Sequence, residues 1–198
     1  MIKTLEKFDI ILASQSPRRK NLLRGIDVDF RIVLKDEIDE SYPSHLNKSE
    51  IPEYLAKKKA QNYIHDLKPE SLLITADTVV WLDNKVLGKP ESEEDAVSIL
   101  NELSGRMHEV ITGVCITSVN KQSSFCSLTK VWFRKLNAEE ISYYINQYKP
   151  YDKAGAYGIQ EWIGYVGIER IEGSYFNVMG LPIQQLYNEL LNFTQNHD

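Results

Sequence analysis

Two serines and two arginines stand where an apolar run near the N-terminus meets a polar segment. The run 10–12 predicts a buried strand, and Ser16 followed by proline predicts a helix start, with a hydroxyl at the N-cap and proline in the first turn. The free N–H groups and the dipole of such a helix attract anions, and Arg18 and Arg19 add positive charge. Ser14 and both arginines therefore indicate a phosphate-binding junction; a solvated basic first turn is the alternative.

An aspartate and a lysine lie in apolar surroundings further along the chain. Asp77 follows the apolar run 71–76, and a carboxylate is costly to bury without a partner. A structural hydrogen bond to a turn is the alternative to a catalytic role. The helix predicted over 50–65 places Lys59 in its apolar face, from which the ammonium extends either to the helix edge or into a polar cleft.

An acidic loop over 35–41 follows a strand predicted over 28–34. Ligands of α/β proteins tend to lie beyond strand ends, and Mg²⁺ is commonly held by one or two carboxylates together with substrate phosphates. The loop is therefore a candidate for metal binding, and a solvated loop is the alternative.

Two further loops carry candidate side chains. The tight turn 88–90 presents Lys89 between glycine and proline. Small residues over 154–158 precede Gln160, and such residues let a backbone approach a ligand closely. The alternative for the second loop is a plain turn.

The elements that must position these side chains alternate along the chain, which predicts a single α/β unit over 1–198. Predicted helices begin at Ser16, Glu50, Ser92 and Asn137, and a last helix contains Leu186, Leu190 and Phe193. Predicted strands cover 28–34, 71–76, 79–82, 110–119, 124–133 and 163–171, with a turn at Asp83-Asn84. His108 stands apart from other metal-ligating residue types, which favours a structural role.

Composition excludes several classes of protein. The 198 residues carry a net charge of -5, which argues against a nucleic-acid binder held by bulk positive charge. No apolar run approaches the ~20 residues of a membrane span, and the first residues lack the apolar core of a signal peptide. Cys115 and Cys126 have no zinc-type or redox spacing, so we expect reduced thiols in the cytoplasm.

Taken together, several segments resemble the Maf family of nucleoside triphosphate pyrophosphatases. They occur in the family's order across nearly the whole chain: LASQSPRRK, ADTVV, LGKP, SGRMHEVITGV, DKAGAYGIQ and GSYFNVMGLP. The resemblance implies an α/β fold similar to inosine triphosphatase, with a mixed, bent central sheet flanked by helices and two lobes with a cleft between them. It also implies metal-dependent hydrolysis of a nucleoside triphosphate to the monophosphate and pyrophosphate, with Mg²⁺ or Mn²⁺ as the metal.

Carried over by position, the family's site falls on the residues already singled out. Asp77 matches the catalytic base, and Glu40 with Asp77 matches the metal site, although a one-residue slip would replace Glu40 by Asp39. The phosphate-binding positions fall on Ser14, Arg18, Arg19, Lys59 and Lys89, and the substrate-selecting positions on Arg18, Thr78 and Gln160.

The combination of Thr78 with Gln160 resembles the branch that acts on dTTP and UTP, whose implied role is to keep non-standard nucleotides out of nucleic acids. Two positions depart from the family's pattern. Glu161 stands where glycine is expected, and Lys149 stands where an acidic residue is expected before Pro150. A nucleotide-binding regulator of cell division without turnover is the alternative function, and a homodimer is expected from the resemblance alone.

Overall fold

The computed structural model describes residues 4–35 and 38–195. Asp36 and Glu37 of the acidic loop lie outside the described residues. The helices are α1 (Pro17–Arg24), α2 (Glu50–Gln61), α3 (Glu93–Leu103), α4 (Ala138–Tyr148), α5 (Trp162–Gly167), α6 (Tyr175–Val178) and α7 (Ile183–Gln195). The strands are β1 (Asp9–Leu12), β2 (Arg31–Ile32), β3 (Ser71–Leu82), β4 (Lys85–Leu87), β5 (Met107–Thr117), β6 (Gln122–Phe133) and β7 (Ile168–Glu172).

Within the described residues, these strands form one sheet in the order β2-β1-β3-β5-β6-β7, with β4 paired to β3. The β1 strand runs parallel to β2 and to β3, whereas β4 is antiparallel to β3 and β7 is antiparallel to β6. The sheet is therefore mixed, and together with the helices it confirms the predicted α/β class. The β3–β4 turn at Asp83 and Asn84 has positive φ at both residues (48° and 63°), as expected for a two-residue hairpin.

The chain divides into two compact units, and β3, β5 and β6 each contribute residues to both. The first unit takes the chain up to Asp77, Thr112–Ser127 and the chain from Gly180 onward. Its core packs α2 against β1, β3 and β5 through buried side chains that include Ile11, Ala60 and Leu73. The helix can approach the sheet closely because Gly113 of β5 has no side chain where it lies against Pro52.

The second unit comprises Thr78–Ile111 and Leu128–Met179. Its core joins α3 and α4 to strands β3 to β6 and to the loop that follows α4. His108 is buried in this core, where its Nε2 lies 2.7 Å from the Tyr157 hydroxyl and its ring packs edge-on against Phe133. The structural role predicted for His108 agrees with this position.

The helix starts follow the sequence signals. Ser16 caps α1 and Pro17 occupies its first position, Ser92 caps α3 through the Asp95 N–H, and Asn137 forms a full capping box with Glu140. These ends depend on residues within one turn of each other, which is why they could be predicted locally.

The structure differs from the predicted strands at three places. The strand expected over 28–34 is reduced to Arg31–Ile32, both exposed, because only these residues pair with β1. The break expected at Asp77 is absent, since β3 continues to Leu82. The strand expected over 163–171 begins only at Ile168, after α5, whose Gly164 lies so close to the Ile159 carbonyl that no Cβ would fit.

Within the described residues, no helix combines the length and the apolar character that crossing a membrane requires.

Candidate active site

The two serines form hydrogen bonds with the backbone at the junction between β1 and α1. The Ser14 side chain is buried, and its Oγ accepts a hydrogen bond from the Ser16 N–H at 3.2 Å. The Ser16 Oγ in turn accepts one from the Arg19 N–H at 3.4 Å. This N-terminus carries Arg18, which is half-buried, and Arg19 in the first turn. The predicted basic junction is therefore formed as one local structure.

Arg19 also binds the main chain of the first unit. Its Nε donates to the Gly180 carbonyl at 2.7 Å, and its Nη1 donates to the Ala76 carbonyl at 2.9 Å. Burial lowers the pKa of this guanidinium, and the nearby carboxylates of Asp77 and Glu40 act in the opposite direction. Arg19 thus fixes the strand at the residue before Asp77, a role that the sequence pattern did not reveal.

Lys59 joins two carboxylates of the first unit. Its Nζ lies 2.6 Å from Asp77 Oδ1 and 2.8 Å from Glu40 Oε1. The Lys59 and Asp77 side chains are 13% and 12% exposed, whereas that of Glu40 is 49% exposed. Lys59 therefore reaches a polar cluster, which is the second of the two interpretations that the helical pattern allowed.

The backbone explains why these groups meet. Thr75 and Asp77 lie on the same face of β3, because side chains alternate along a strand. Thr75 Oγ1 donates to the Ala56 carbonyl of α2 at 2.7 Å, and Lys59 stands one helical turn beyond Ala56. The hydroxyl fixes the helix on the strand, and the next turn delivers the ammonium to Asp77.

The structure distinguishes the two neighbouring acids of the loop. Asp39 accepts hydrogen bonds from the Ser41 N–H at 2.8 Å and from Lys58 Nζ at 2.8 Å, and its side chain is 69% exposed. The Lys58 ammonium and the Ser41 hydrogen bonds lower the pKa of the Asp39 carboxyl. Glu40, and not Asp39, extends to Lys59.

A divalent metal fits this cluster only with ligands from a substrate. Within residues 4–35 and 38–195, no three His, Cys, Asp or Glu side chains are grouped so that they could hold a metal ion. Glu40 and Asp77 both place an oxygen within 2.8 Å of one ammonium, so this position already receives a cation. Mg²⁺ often uses one or two carboxylates and completes its shell with water and phosphate oxygens, which this pair allows.

The remaining predicted residues belong to the second unit. Thr78 follows Asp77 on β3 and is half-buried. Lys89 is exposed in the loop after β4. The preceding Gly88 carbonyl accepts a hydrogen bond from the Gly155 N–H at 3.0 Å, which ties the Lys89 loop to the loop that leads to Gln160. Gly155 has φ +71° and would place a Cβ 2.9 Å from Val80, so only glycine suits this contact.

Gln160 lies in a four-residue turn closed by the Glu161 N–H, which donates to the Gly158 carbonyl at 3.0 Å. The Gln160 Oε1 atom is buried and has no hydrogen-bond partner among the residues that the structure describes. A buried acceptor of this kind is costly unless a ligand satisfies it. An unpaired acceptor such as the Gln160 Oε1 is expected of a residue that recognises a hydrogen-bond donor on a ligand.

Sequence reasoning missed the side chains that surround this turn. Tyr144, Lys153 and Glu161 form a buried polar network beside Gln160. One signal was available, because glycine was expected at the position of Glu161, but the partners of Glu161 lie in other elements and could not be predicted from spacing.

Comparisons with known proteins give full-length similarity. The dTTP/UTP pyrophosphatase of Phocaeicola vulgatus is 56% identical over 190 residues, which cover 96% of this chain and 98% of that relative. The dTTP/UTP pyrophosphatase of Bacteroides thetaiotaomicron is 55% identical over the same shares. Among solved structures, a HAM1 protein from Coxiella burnetii aligns with 64% of this chain and 73% of its own, at 14% identity and a TM-score of 0.42.

The Maf-like protein family matches residues 9–193. With this match and relatives above 50% identity over nearly the full length, the chain belongs to the Maf family.

Proposed function

We propose that this protein is a nucleoside triphosphate pyrophosphatase that hydrolyses dTTP and UTP to the monophosphate and pyrophosphate. The proposal is supported by the 55% and 56% identity to enzymes named for this activity. The observation that carries it on this chain is the Lys59 ammonium shared by Glu40 and Asp77, close to the basic junction of α1. Positive charge favours binding of a polyanion, and a carboxylate beside it can serve as the general base for hydrolysis.

In the proposed reaction, Asp77 removes a proton from a water molecule while the water oxygen attacks the α-phosphorus in line. The bond between the α-phosphorus and the bridging oxygen breaks, and pyrophosphate leaves with the electron pair. Ser14, Arg18, Arg19, Lys59 and Lys89 bind phosphate oxygens and balance their charge.

A divalent cation, Mg²⁺ or Mn²⁺, is part of the proposal. Glu40 and Asp77 would hold it, and it would supply neutralising charge next to the phosphate oxygens. The cation and Lys59 would then share the two carboxylates. A cytoplasmic location and a homodimer are proposed with it, the first from the two free cysteines and the second from family resemblance.

Base selection is assigned to Gln160, with Thr78 and Arg18. A uracil or thymine ring offers an N3–H donor and an O4 acceptor, which the amide oxygen and nitrogen of Gln160 complement. The buried Oε1 of Gln160 supports this assignment, because the N3–H would satisfy it.

The test is pyrophosphate release from a panel of ordinary and modified triphosphates, with and without Mg²⁺ or Mn²⁺. We expect release from UTP and dTTP to exceed release from CTP, ATP and GTP. Tight binding of UTP without pyrophosphate release would instead identify a nucleotide-binding regulator, and equal turnover of all five would remove the basis for pyrimidine selection.

Gln160→Glu tests the assigned base contact. The change replaces the amide donor by an acceptor, so we expect kcat/KM for UTP and dTTP to fall at least about tenfold. The unfolding transition should change less than kcat/KM does, because Gln160 is only partly buried. A loss that is equal for all nucleotides would contradict the assignment.

A further inference from the structure

A single phenol holds both ends of the turn that carries Gln160. The Tyr144 Oη accepts a hydrogen bond from the Gly158 N–H at 2.9 Å, at the start of the turn. The same hydroxyl donates to Glu161 Oε2, at the end of the turn. Tyr144 comes from α4 and is fully buried, so the turn is attached to a rigid helix.

Both hydrogen-bonding capacities of this hydroxyl are used. Burial, followed by the hydrogen bond and the charge of Glu161, raises the pKa of the Tyr144 phenol well above its usual range. The phenol therefore keeps the proton that it donates to Glu161, and its oxygen remains an acceptor for Gly158. Its ring stacks on Tyr148, which further restricts the side chain.

The Glu161 carboxylate is fixed from its other side by a lysine. Lys153 Nζ lies 3.2 Å from Glu161 Oε1 and 2.7 Å from Asp152 Oδ1. The Lys153 and Glu161 side chains are only 9% and 17% exposed. Glu161 thus bridges a phenol and an ammonium, and it cannot move without breaking a largely desolvated contact.

A fixed turn matters because a glutamine amide is ambiguous. Rotation of its terminal torsion exchanges the oxygen and the nitrogen, and the rotated amide matches cytosine, whose N3 accepts and whose N4 donates. Discrimination between uracil and cytosine therefore requires that the amide be held in one orientation. The side chain can only be held if the turn beneath it is rigid.

We propose that Tyr144 and Glu161 are positioning residues for base selection, which hold the Gln160 turn so that the amide accepts uracil or thymine and rejects cytosine. The inference rests on the proposed function and deepens it. It also gives a role to Glu161, where the sequence analysis expects glycine.

The test compares kcat and KM for UTP and CTP in Tyr144→Phe and Glu161→Leu. Each change removes the bridge between hydroxyl and carboxylate while keeping much of the side chain's volume. We expect the ratio of kcat/KM for UTP to that for CTP to fall about tenfold, the value of one lost hydrogen bond. The change should appear in the KM for UTP, with kcat within about twofold of wild type.

Two further variants serve as controls. Glu161→Gln keeps an acceptor for the Tyr144 hydroxyl but loses the ion pair with Lys153, so it should retain more of the UTP:CTP ratio than Glu161→Leu does. Tyr143→Phe removes a hydroxyl from the neighbouring, half-exposed residue of α4 and should leave the ratio at the wild-type value. If Glu161→Leu lowered the UTP:CTP ratio only through general damage to the fold, a higher ratio in Glu161→Gln would not be expected.

Each outcome decides between the claims. If wild type favours UTP over CTP and both bridge-breaking variants keep that preference, the positioning role is wrong and the proposed function stands. If the variants lose activity on UTP and CTP equally, or fail to fold while Glu161→Gln also loses selectivity, the network is only structural. If wild type hydrolyses UTP and CTP equally well, the pyrimidine assignment fails and the inference fails with it.

Discussion

Two lysines of this protein each lie between two carboxylates, one in each compact unit. Lys59 contacts Glu40 and Asp77 in the first unit, and Lys153 contacts Asp152 and Glu161 in the second. Both ammonium groups are largely buried. The residue types alone would not distinguish the two clusters.

Their surroundings differ. The carboxylate that ends the first cluster, Glu40, is 49% exposed and comes from a loop. In the second cluster, Asp152 is 56% exposed, whereas Glu161 is 17% exposed and its other oxygen is bound by the buried Tyr144. The two clusters therefore differ at their buried acids, because Glu161 is held by both a lysine and a phenol, whereas Asp77 is the acid proposed to meet an incoming polyanion. We infer that the first cluster takes part in the reaction and that the second cluster holds the Gln160 turn rigid.

The largest expected effect is that of Asp77→Asn. The amide cannot accept the proton of water, so kcat should fall by about 100-fold to 10,000-fold on every nucleotide. Pyrophosphate release under saturating UTP measures it. The matched control is Asp83→Asn, the same change at an exposed residue of the β3–β4 turn, which should retain the wild-type rate. A folded Asp77→Asn variant with wild-type turnover would show that Asp77 is not the base.

Replacing either lysine by methionine sharpens the comparison. Each change leaves one largely buried carboxylate, Asp77 or Glu161, without its cation, so the free energy of unfolding should fall by about 3 kcal/mol in both variants. Kinetics should separate them, because Lys59→Met should lose about 100-fold in kcat on all nucleotides and Lys153→Met should lose mainly the UTP:CTP ratio. Urea denaturation and pyrophosphate release are the measurements.

The half-exposed pair of Lys57 with Glu53 provides the control for these variants. Lys57→Met should change the free energy of unfolding by less than about 0.5 kcal/mol. Equal kinetic losses in Lys59→Met and Lys153→Met would contradict the division between a reactive and a rigid cluster.

Substitutions of the neighbouring acids Glu40 and Asp39 test the proposed metal site. Glu40→Gln should raise the Mg²⁺ concentration for half-maximal activity about tenfold, because a neutral amide binds the cation more weakly than a carboxylate. Asp39→Asn should leave that concentration unchanged, since Asp39 contacts Lys58 and Ser41 instead. A larger shift in Asp39→Asn than in Glu40→Gln would exchange the two assignments.

The smallest expected effect concerns the pH dependence of stability. Burial lowers the pKa of His108 to about 3, whereas an unfolded histidine titrates near about 6.5. Between these values the unfolded state binds the extra proton, so stability falls as the pH falls below about 6.5. From pH 7 to 5.5 the loss should be about 1 kcal/mol, and His108→Phe should reduce the slope. Parallel slopes in urea denaturation would show that His108 does not contribute.

Local signals in the sequence predicted the parts of the fold that depend on adjacent residues. The cap at Ser16, the turn at Asp83-Asn84 and the last helix follow from one or two turns of chain. The break expected at Asp77 was wrong because the charge of that residue is balanced by Lys59, which is 18 residues away.

The residues of the candidate site could likewise be predicted only in part. Ser14, Arg18 and the loops that carry Lys89 and Gln160 could be singled out from the residues, and the family resemblance added Glu40 and Thr78. The main-chain contacts of Arg19 and the support that Tyr144 gives to the turn could not be predicted, because each joins segments that are distant in sequence.

The reach of the Lys59 ammonium is set partly by a residue that has no side chain. A Cβ at Gly113 of β5 would lie 2.3 Å from the backbone of Pro52, in the first turn of the helix that carries Lys59. Even one methyl group would have to push that helix outward, and the lysine would withdraw from its carboxylates. A substitution at Gly113, which is not among the proposed nucleotide-binding residues, is therefore expected to impair this protein.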